Sequence, residues 1–355
     1  MSARMKAAVL HGREDVRVEE VDVPRPGPGE VLLRTRAALT CGTDVKVFRR
    51  GYHARMIRPP ALFGHEVAGI VEELGPGADA GAGGLRPGDA VVAANSAPCG
   101  ACRFCRAERE SLCDDLVFWN GAYAEFACIP ARIVARNLLR IEPGLPFQDA
   151  ALAEPLACVV RGIEASGVTE GQTVVVIGTG PIGLMLTALA RLRGAAVVAV
   201  GRNAFRLRRA LALGASEAVD ASAVADLGER LAAAGPSGSR PDVVIEAAGL
   251  AVTAQAAIRA VGKGGVVNLF AGCAREAEVV LDAQRLHYEE ITVTSTFHHT
   301  PRSFRQALAL LTERRVRAED LVTGTASLDD VPDVLRRMAG GGDGLKTAIL
   351  PWGPG

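Results

Sequence analysis

Four cysteines, Cys99, Cys102, Cys105 and Cys113, lie in the stretch "CGACRFCRAERESLC" with the spacing C-x2-C-x2-C-x7-C. Thiolates grouped this tightly on one loop suit a tetrahedral metal, and four of them close the shell of a zinc ion, leaving no position for water or substrate. Such a zinc holds structure and does no chemistry. Iron–sulfur ligation or unligated thiols are the alternatives, but the last gap is long for a bacterial ferredoxin run and no second cluster motif accompanies it. A second set of donors is scattered: Cys41 in "TCGTDV", His65 with Glu66 in "FGHEVAG", and Glu154 in "LAEPLA". One thiolate, one imidazole and one carboxylate leave a tetrahedral ion with one open position, as a catalytic zinc requires. Taken singly each has a plainer reading: Cys41 as a small buried hydrophobe, His65 as a turn residue, Glu154 as a carboxylate at a helix start.

A third constellation binds rather than reacts. "VVVIGTGPIG" runs a strand into Gly178, Gly180 and Gly183, with Pro181 and Ile182 opening a helix. In a G-x-G-x-x-G turn the first glycine permits the tight bend, the second lets a pyrophosphate approach the backbone, and the third lets helix pack on strand. At the end of the next strand, where an NAD site usually carries an acidic residue for the ribose hydroxyls, the chain reads "AVGRNAFRLRR": Gly201 in the acidic position, then Arg202, with Arg206 one helical turn on. Losing the carboxylate removes repulsion of a 2′-phosphate, and a guanidinium offers that phosphate a bidentate partner, so the pattern favours NADP over NAD. The plain alternative is that these arginines are solvated surface charges.

The elements that must position these residues change character along the chain. Residues 1–150 read as β-rich, with alternating runs such as "EVLLRTRAAL" (30–39) and "HEVAGIVEEL" (65–74) separated by proline and glycine turns, a sheet or barrel with long loops. From about residue 171, continuous apolar runs ("TVVVIG", "AAVVAVG", "PDVVIEAAG", "GGVVNLF") alternate with alanine- and leucine-rich helical stretches. Strands apolar on both faces and linked by helices predict a doubly wound parallel sheet, an α/β domain. After about residue 296 one more helix, "SFRQALALLTERR", and a short strand, "KTAILP", are expected, while "GADAGAGG" (77–84) reads as a loop.

At 355 residues the chain exceeds what one hydrophobic core usually fills, so two domains are expected. The formal net charge of zero gives no field to attract nucleic acid or anionic lipid, which argues against a zinc knuckle that reads RNA or DNA. Met1–Leu10 lacks the apolar core of a signal peptide, and no uninterrupted apolar run reaches a membrane span. A cytoplasmic protein is therefore expected, and in that reducing setting clustered cysteines hold metal in preference to disulfides.

"CGTD", "GHE", the four-cysteine lobe, "GTGPIG" and "IEAAG", in that order, resemble the zinc-dependent medium-chain dehydrogenase/reductase family over essentially the whole chain. Within it the sequence is most similar to the polyol branch typified by sorbitol dehydrogenase, because "EPLA" supplies a glutamate where classical alcohol dehydrogenases have a cysteine ligand. The resemblance implies a GroES-like catalytic domain from residues 1–150 and 297–355, carrying the structural zinc lobe (95–115), with a Rossmann NAD(P)-binding domain (151–296) inserted. It implies that Cys41 and His65 ligate zinc, that Glu154 does so directly or through a water, and that Glu66 ligates or exchanges with a ligand. Thr43 matches the hydroxyl residue that passes the substrate proton toward the nicotinamide ribose. Lys46 stands where many relatives carry a histidine, so proton exit falls to Lys46 or to water.

The same resemblance implies a hydride exchange between a secondary alcohol and NAD(P), with zinc as Lewis acid, two zinc ions per chain and a homo-oligomer, dimer or tetramer. The segment "TFHHTP" (296–301) matches the part of the polyol branch that reaches the substrate, so His298 and His299 are expected to hydrogen-bond hydroxyls; a histidine pair on an ordinary loop is the alternative. Phe118 and Trp119 either wall the cleft or pack against the lobe. Polyols, sugars, cyclitols and aminocyclitols all qualify as substrates. L-Threonine 3-dehydrogenase and a simple secondary alcohol dehydrogenase are the rival activities, and a non-catalytic nucleotide-binding relative, which would be expected to lose zinc ligands, is the remote one.

Overall fold

The computed structural model describes residues 3–53, 55–78, 84–342 and 344–353, so most of the glycine-rich stretch 77–84 lies outside the described residues. The chain divides into two compact units, one of Met1–Ala157 with His299–Gly355, the other of Cys158–His298. Among the described residues no helix is long and apolar enough to cross a membrane.

The first unit is built on Val31–Leu39, whose nine residues pair antiparallel with Glu66–Leu74 on one side and with Lys346–Ile349 on the other. Ala90–Ala93 and Leu138–Arg140 extend the sheet beyond Glu66–Leu74, and Val322–Ala326 lies beyond Lys346–Ile349. The inward residues of these strands, among them Leu33, Val67, Val71, Val91 and Ile349, are buried in one cluster. Each such side chain contributes roughly 1.5–3 kcal/mol of burial. Phe63 and Tyr123 meet edge to face in the same core, with ring centroids 5.9 Å apart.

Two registers decide where the chemistry sits. Leu39 stands opposite Glu66 in one ladder and opposite Ala348 in the other. The residues that follow Leu39, those that precede Val67, and those that precede Thr347 therefore converge at one end of the sheet. Those are Thr40 and Cys41, His65 and Glu66, and Lys346.

The sequence pointed to one helix and one strand after residue 296, and the structure contains more. Besides Pro301–Thr312 and Lys346–Ile349, Val322–Ala326 pairs parallel with Lys346–Ile349, and the helix Val331–Ala339 lies between them. The extra strand, VTGTA, is exposed along most of its length, so it lacks the apolar alternation that marks a half-buried strand.

The second unit holds a six-stranded, all-parallel sheet in the order Glu217–Asp220, Ala196–Gly201, Thr173–Ile177, Val243–Glu246, Val266–Leu269, Thr292–Ser295. The first strand in sequence, Thr173–Ile177, is central and buried at every residue. Strands two and three lie on one side of it and strands four to six on the other. This is the doubly wound order, with a topological switch point beside the first strand and a ligand crevice expected at its carboxyl end. Gly178 follows immediately.

Candidate active site

Cys41 lies two residues past the strand Val31–Leu39 and caps the helix Gly42–Arg50. Its Sγ accepts from the Thr43 N–H at 3.4 Å, and its own N–H donates to the Asp44 carboxylate at 2.8 Å, a reciprocal capping box with a thiol in the usual hydroxyl's place. A thiolate is the form of cysteine that ligates metal. The donor atoms of Cys41, His65 and Glu66 all lie within 4.8 Å of one another.

Asp44 orients the imidazole. Its Oδ1 is 3.0 Å from His65 Nδ1, while the same imidazole also hydrogen-bonds the Cys41 thiol, so the ring is oriented as in a carboxylate–histidine–metal arrangement. The buried Tyr123 hydroxyl donates to Asp44 Oδ2 at 2.6 Å. Burial alone would push the Asp44 carboxyl up, but the His65 charge and hydrogen bonds from His65, Tyr123 and Cys41 outweigh it and hold it below its ordinary range. Neither Asp44 nor Tyr123 was singled out from sequence. The signal for Asp44 was present in "CGTD", an acid three residues after a cap residue.

Glu66 has a buried partner that sequence reading missed. Lys346 Nζ donates to both Glu66 carboxylate oxygens at 2.7 and 2.8 Å and to the Thr40 carbonyl at 2.7 Å, which uses all three ammonium donors. Both side chains are sealed, at 2% and 0% exposure. Burial pushes the Glu66 carboxyl up and the Lys346 ammonium pulls it back; for Lys346 burial favours the neutral amine, but the Glu66 charge outweighs it and keeps the cation.

Glu154, in the first turn of Ala153–Ala165, is buried beside this group rather than within its three close donors. Burial, opposed by the His65 charge, raises its pKa to about 7. Its Oε1 lies 3.8 Å from His299 Nε2, which is 3.0 Å from Asn95 Oδ1 and 3.5 Å from Ser96 Oγ. Phe118 pairs across a two-stranded ribbon with Ser96, and the Trp119 N–H donates to the Asn95 carbonyl at 2.8 Å. Glu154 and His299 thus share a buried polar cluster with Asn95, a residue the sequence reading did not name.

Of the proton-relay candidates, Thr43 is half-buried in the first helical turn and Lys46 is exposed on the same helix. His298 closes the other unit in a left-handed conformation, φ 64°, stacks on Phe297, and has its carbonyl held by the Arg161 guanidinium at 3.2 Å.

The cysteine lobe passes a metric test for zinc. The Sγ atoms of Cys99 and Cys105, Cys102 and Cys105, and Cys102 and Cys113 are 3.9, 3.6 and 3.9 Å apart. Four thiolates at the usual Zn–S distance of about 2.3 Å place their sulfurs about 3.8 Å apart, whereas a disulfide needs about 2.05 Å. Backbone N–H groups point at the sulfurs: those of Ala101 and Cys102 lie 3.4 and 3.3 Å from Cys99 Sγ. The backbone N–H of Asp114 leads in lowering the Cys102 thiol to about 6.

The dinucleotide turn can be tested the same way. Gly178 has φ 117°, and a Cβ on Gly183 would come within 1.8 Å of the Gly178 carbonyl oxygen, so helix and strand touch there. A Cβ on Gly180 would meet nothing within 4 Å, which leaves an open approach to the start of the helix Pro181–Leu192. That is the cradle a pyrophosphate requires. Gly201 ends its strand, Arg202 is exposed, and Arg206, half-buried, donates its N–H to the Asn203 cap at 3.0 Å. Glu246 of "IEAAG" is fully buried and accepts from Ala248 N, Gly249 N and Thr253 Oγ1 at 2.7–3.1 Å, which pins the loop after the fourth strand in the sheet order.

Comparison with known proteins agrees with this architecture. Residues 27–138 match the alcohol dehydrogenase GroES-like domain and residues 181–313 the zinc-binding dehydrogenase domain. A zinc-binding dehydrogenase from Sinorhizobium meliloti, solved bound to NADP, is 32% identical and superposes with a TM-score of 0.89, over 99% of this chain and 100% of its own. The sorbitol dehydrogenase of Halalkalibacterium halodurans is 29% identical over 98% of this chain and 99% of its own. The L-threonine 3-dehydrogenase of Pyrococcus abyssi is 38% identical, but over 62% of each chain. The chain belongs to the zinc-dependent medium-chain dehydrogenase/reductase family, and it is a zinc-binding, nicotinamide-dependent dehydrogenase acting on a small molecule.

Proposed function

We propose that this enzyme interconverts a secondary alcohol and a ketone on a polyhydroxylated substrate, a polyol, sugar, cyclitol or aminocyclitol, using NADP(H) in preference to NAD(H). The observation that carries the reading is the buried polar cluster of Glu154, His299 and Asn95 beside the Cys41, His65 and Glu66 donors. A simple aliphatic alcohol has no hydroxyl beyond the reacting one to offer such a wall, whereas a polyhydroxylated substrate does. The full-length similarity to a sorbitol dehydrogenase supports the same substrate class.

In this reading Cys41 and His65 hold a catalytic zinc, with Glu66 or Glu154, directly or through a water, completing its shell. Cys99, Cys102, Cys105 and Cys113 hold a second, structural zinc. When bound, the ion would supply Lewis acidity toward an alcohol oxygen and the nicotinamide would supply the hydride acceptor. Thr43 takes the hydroxyl proton, and Lys46 or solvent carries it out. His299, His298 and Phe118 orient the substrate.

Gly178, Gly180, Pro181, Ile182 and Gly183 cradle the pyrophosphate in a Rossmann domain of about residues 151–296, while residues 1–150 and 297–355 form the catalytic domain. Gly201, Arg202 and Arg206 accept a 2′-phosphate, in keeping with NADP in the S. meliloti structure. A cytoplasmic homo-oligomer is part of the proposal. Val252, Val280 and Tyr288 of the dinucleotide-binding unit are exposed at 71, 74 and 76%.

The test is a substrate panel of polyols, cyclitols, L-threonine and 2-butanol, each with NADP and NAD. Turnover of a polyol or cyclitol with NADP at higher kcat/KM than of 2-butanol is expected. Activity confined to L-threonine would overturn the substrate class.

A further inference from the structure

The absence of an acidic residue at the end of the second strand of the parallel sheet is readable as Gly201 alone, but in the structure it involves a second residue. A Cβ built on Gly201 would lie 2.2 Å from Thr179 Oγ1, 2.9 Å from Thr179 Cγ2 and 3.1 Å from Thr179 Cβ. Thr179 is the residue between the first two glycines of the cofactor turn, and it is 6% exposed. Its side chain fills the space in which any side chain at 201 would begin.

Rotation does not clear that space. Two of the three staggered positions on Thr179 Cβ, those holding Oγ1 and Cγ2, face Gly201. A threonine has a single hydrogen to offer on that carbon, so every rotamer leaves at least one heavy atom there. Asp220 is the cross-strand partner of Gly201, and its Oδ1 is turned to its own loop, where it accepts from the Ser222 N–H at 2.9 Å and the Ser222 hydroxyl at 2.6 Å.

We propose that Thr179 is a specificity-determining residue for the nicotinamide cofactor: by occupying the Cβ space of Gly201 it bars the acidic side chain that would hold an unphosphorylated adenosine ribose. The inference rests on the assignment of this turn to the dinucleotide, and it makes positions 179 and 201 one unit. Exchanging Gly201 for an acid without changing Thr179 places the carboxylate where it cannot point at the ribose. It also displaces the turn that receives the pyrophosphate.

The test is a double-mutant cycle of wild type, Gly201→Asp, Thr179→Ala and the double variant, read by fluorescence titration with NADH and with NADPH in the absence of substrate. Gly201→Asp alone is expected to lose NADPH affinity without gaining NADH affinity. The double variant is expected to bind NADH at least tenfold tighter than Gly201→Asp and to prefer NADH over NADPH. Equal NADH affinity in the single and double variants would overturn the proposal. Should Gly201→Asp not fold, Gly201→Ala adds only the Cβ. Its melting temperature is expected to fall below that of wild type and to recover in Thr179→Ala/Gly201→Ala, whereas a Gly201→Ala protein that melts like wild type would also overturn it. A wild-type preference for NADH would refute the NADP reading and is seen separately, since the coupling between 179 and 201 is measured within the cycle.

Discussion

Replacing Lys346 by methionine removes the cation while keeping most of the side-chain volume. The ammonium makes three donations of 2.7–2.8 Å in a site where it is 2% and its partner Glu66 0% exposed. Water cannot reach either group to compensate, so Lys346→Met leaves a buried carboxylate and a Thr40 carbonyl without their partner. Stranding one member of a buried ion pair costs about 3–5 kcal/mol. At about 2–4 °C per kcal/mol for a domain of this order of size, the melting temperature should fall by about 6–20 °C. Replacing both charged groups, Glu66→Gln with Lys346→Met, removes the stranded charge and should recover at least about 2 kcal/mol relative to the sum of the single effects. The assay is calorimetry or far-ultraviolet melting of the four proteins at one zinc concentration, because bound metal adds its own stability. A Lys346→Met protein that melts within about 2 °C of wild type, or a double variant showing the plain sum of the singles, would refute the argument.

Arg202→Ala should raise the Kd for NADPH by about ten- to a hundredfold, the worth of one charge-assisted contact, and leave that for NADH unchanged; equal effects on both cofactors would count against a 2′-phosphate contact. His299→Leu removes the 3.0 Å partner of Asn95 and should raise KM for the polyhydroxylated substrate more than it lowers kcat, with 2-butanol turnover little changed. A uniform loss on both substrates would make His299 a packing residue. Among the cysteines outside the two proposed zinc sites, Cys273 is exposed, whereas Cys128 is pushed up to about 12 by burial and by Glu30. At pH 8 only about one Cys128 in ten thousand is a thiolate, so peptide mapping after iodoacetamide treatment should find Cys273 labelled and Cys128 untouched. Rapid labelling of Cys128 would contradict its burial.

Much of this was legible in the sequence where the signal is local. The run Val174–Ile177 in "TVVVIG" is continuously apolar because the centre of the sheet is covered on both faces, and the structure buries all five residues of Thr173–Ile177. The four-cysteine spacing is likewise a property of one loop. What the sequence hid was set by pairing. Lys346 reaches Glu66 only because Ala348 and Glu66 both stand opposite Leu39, a fact of register between segments 280 residues apart. Asn95 meets His299 across 204 residues by the same kind of long-range convergence. The Thr179 side chain is one residue within a familiar glycine motif, yet its contact with the Gly201 position depends on two parallel strands standing in register, Ile177 beside Val200. The strand Val322–Ala326 went unseen because its exposed face carries no hydrophobic period.

Two separate zinc ions are proposed, one held by the scattered donors at the reacting site and one by the lobe. Metal analysis of purified wild type, Cys41→Ser and Cys102→Ser by plasma mass spectrometry, with alcohol oxidation assayed on the same samples, tests this most directly. About two zinc ions per chain are expected in wild type and about one in Cys41→Ser, which should keep its fold and lose activity. A wild type holding one zinc, or a Cys41→Ser protein that retains both ions and full turnover, would contradict it.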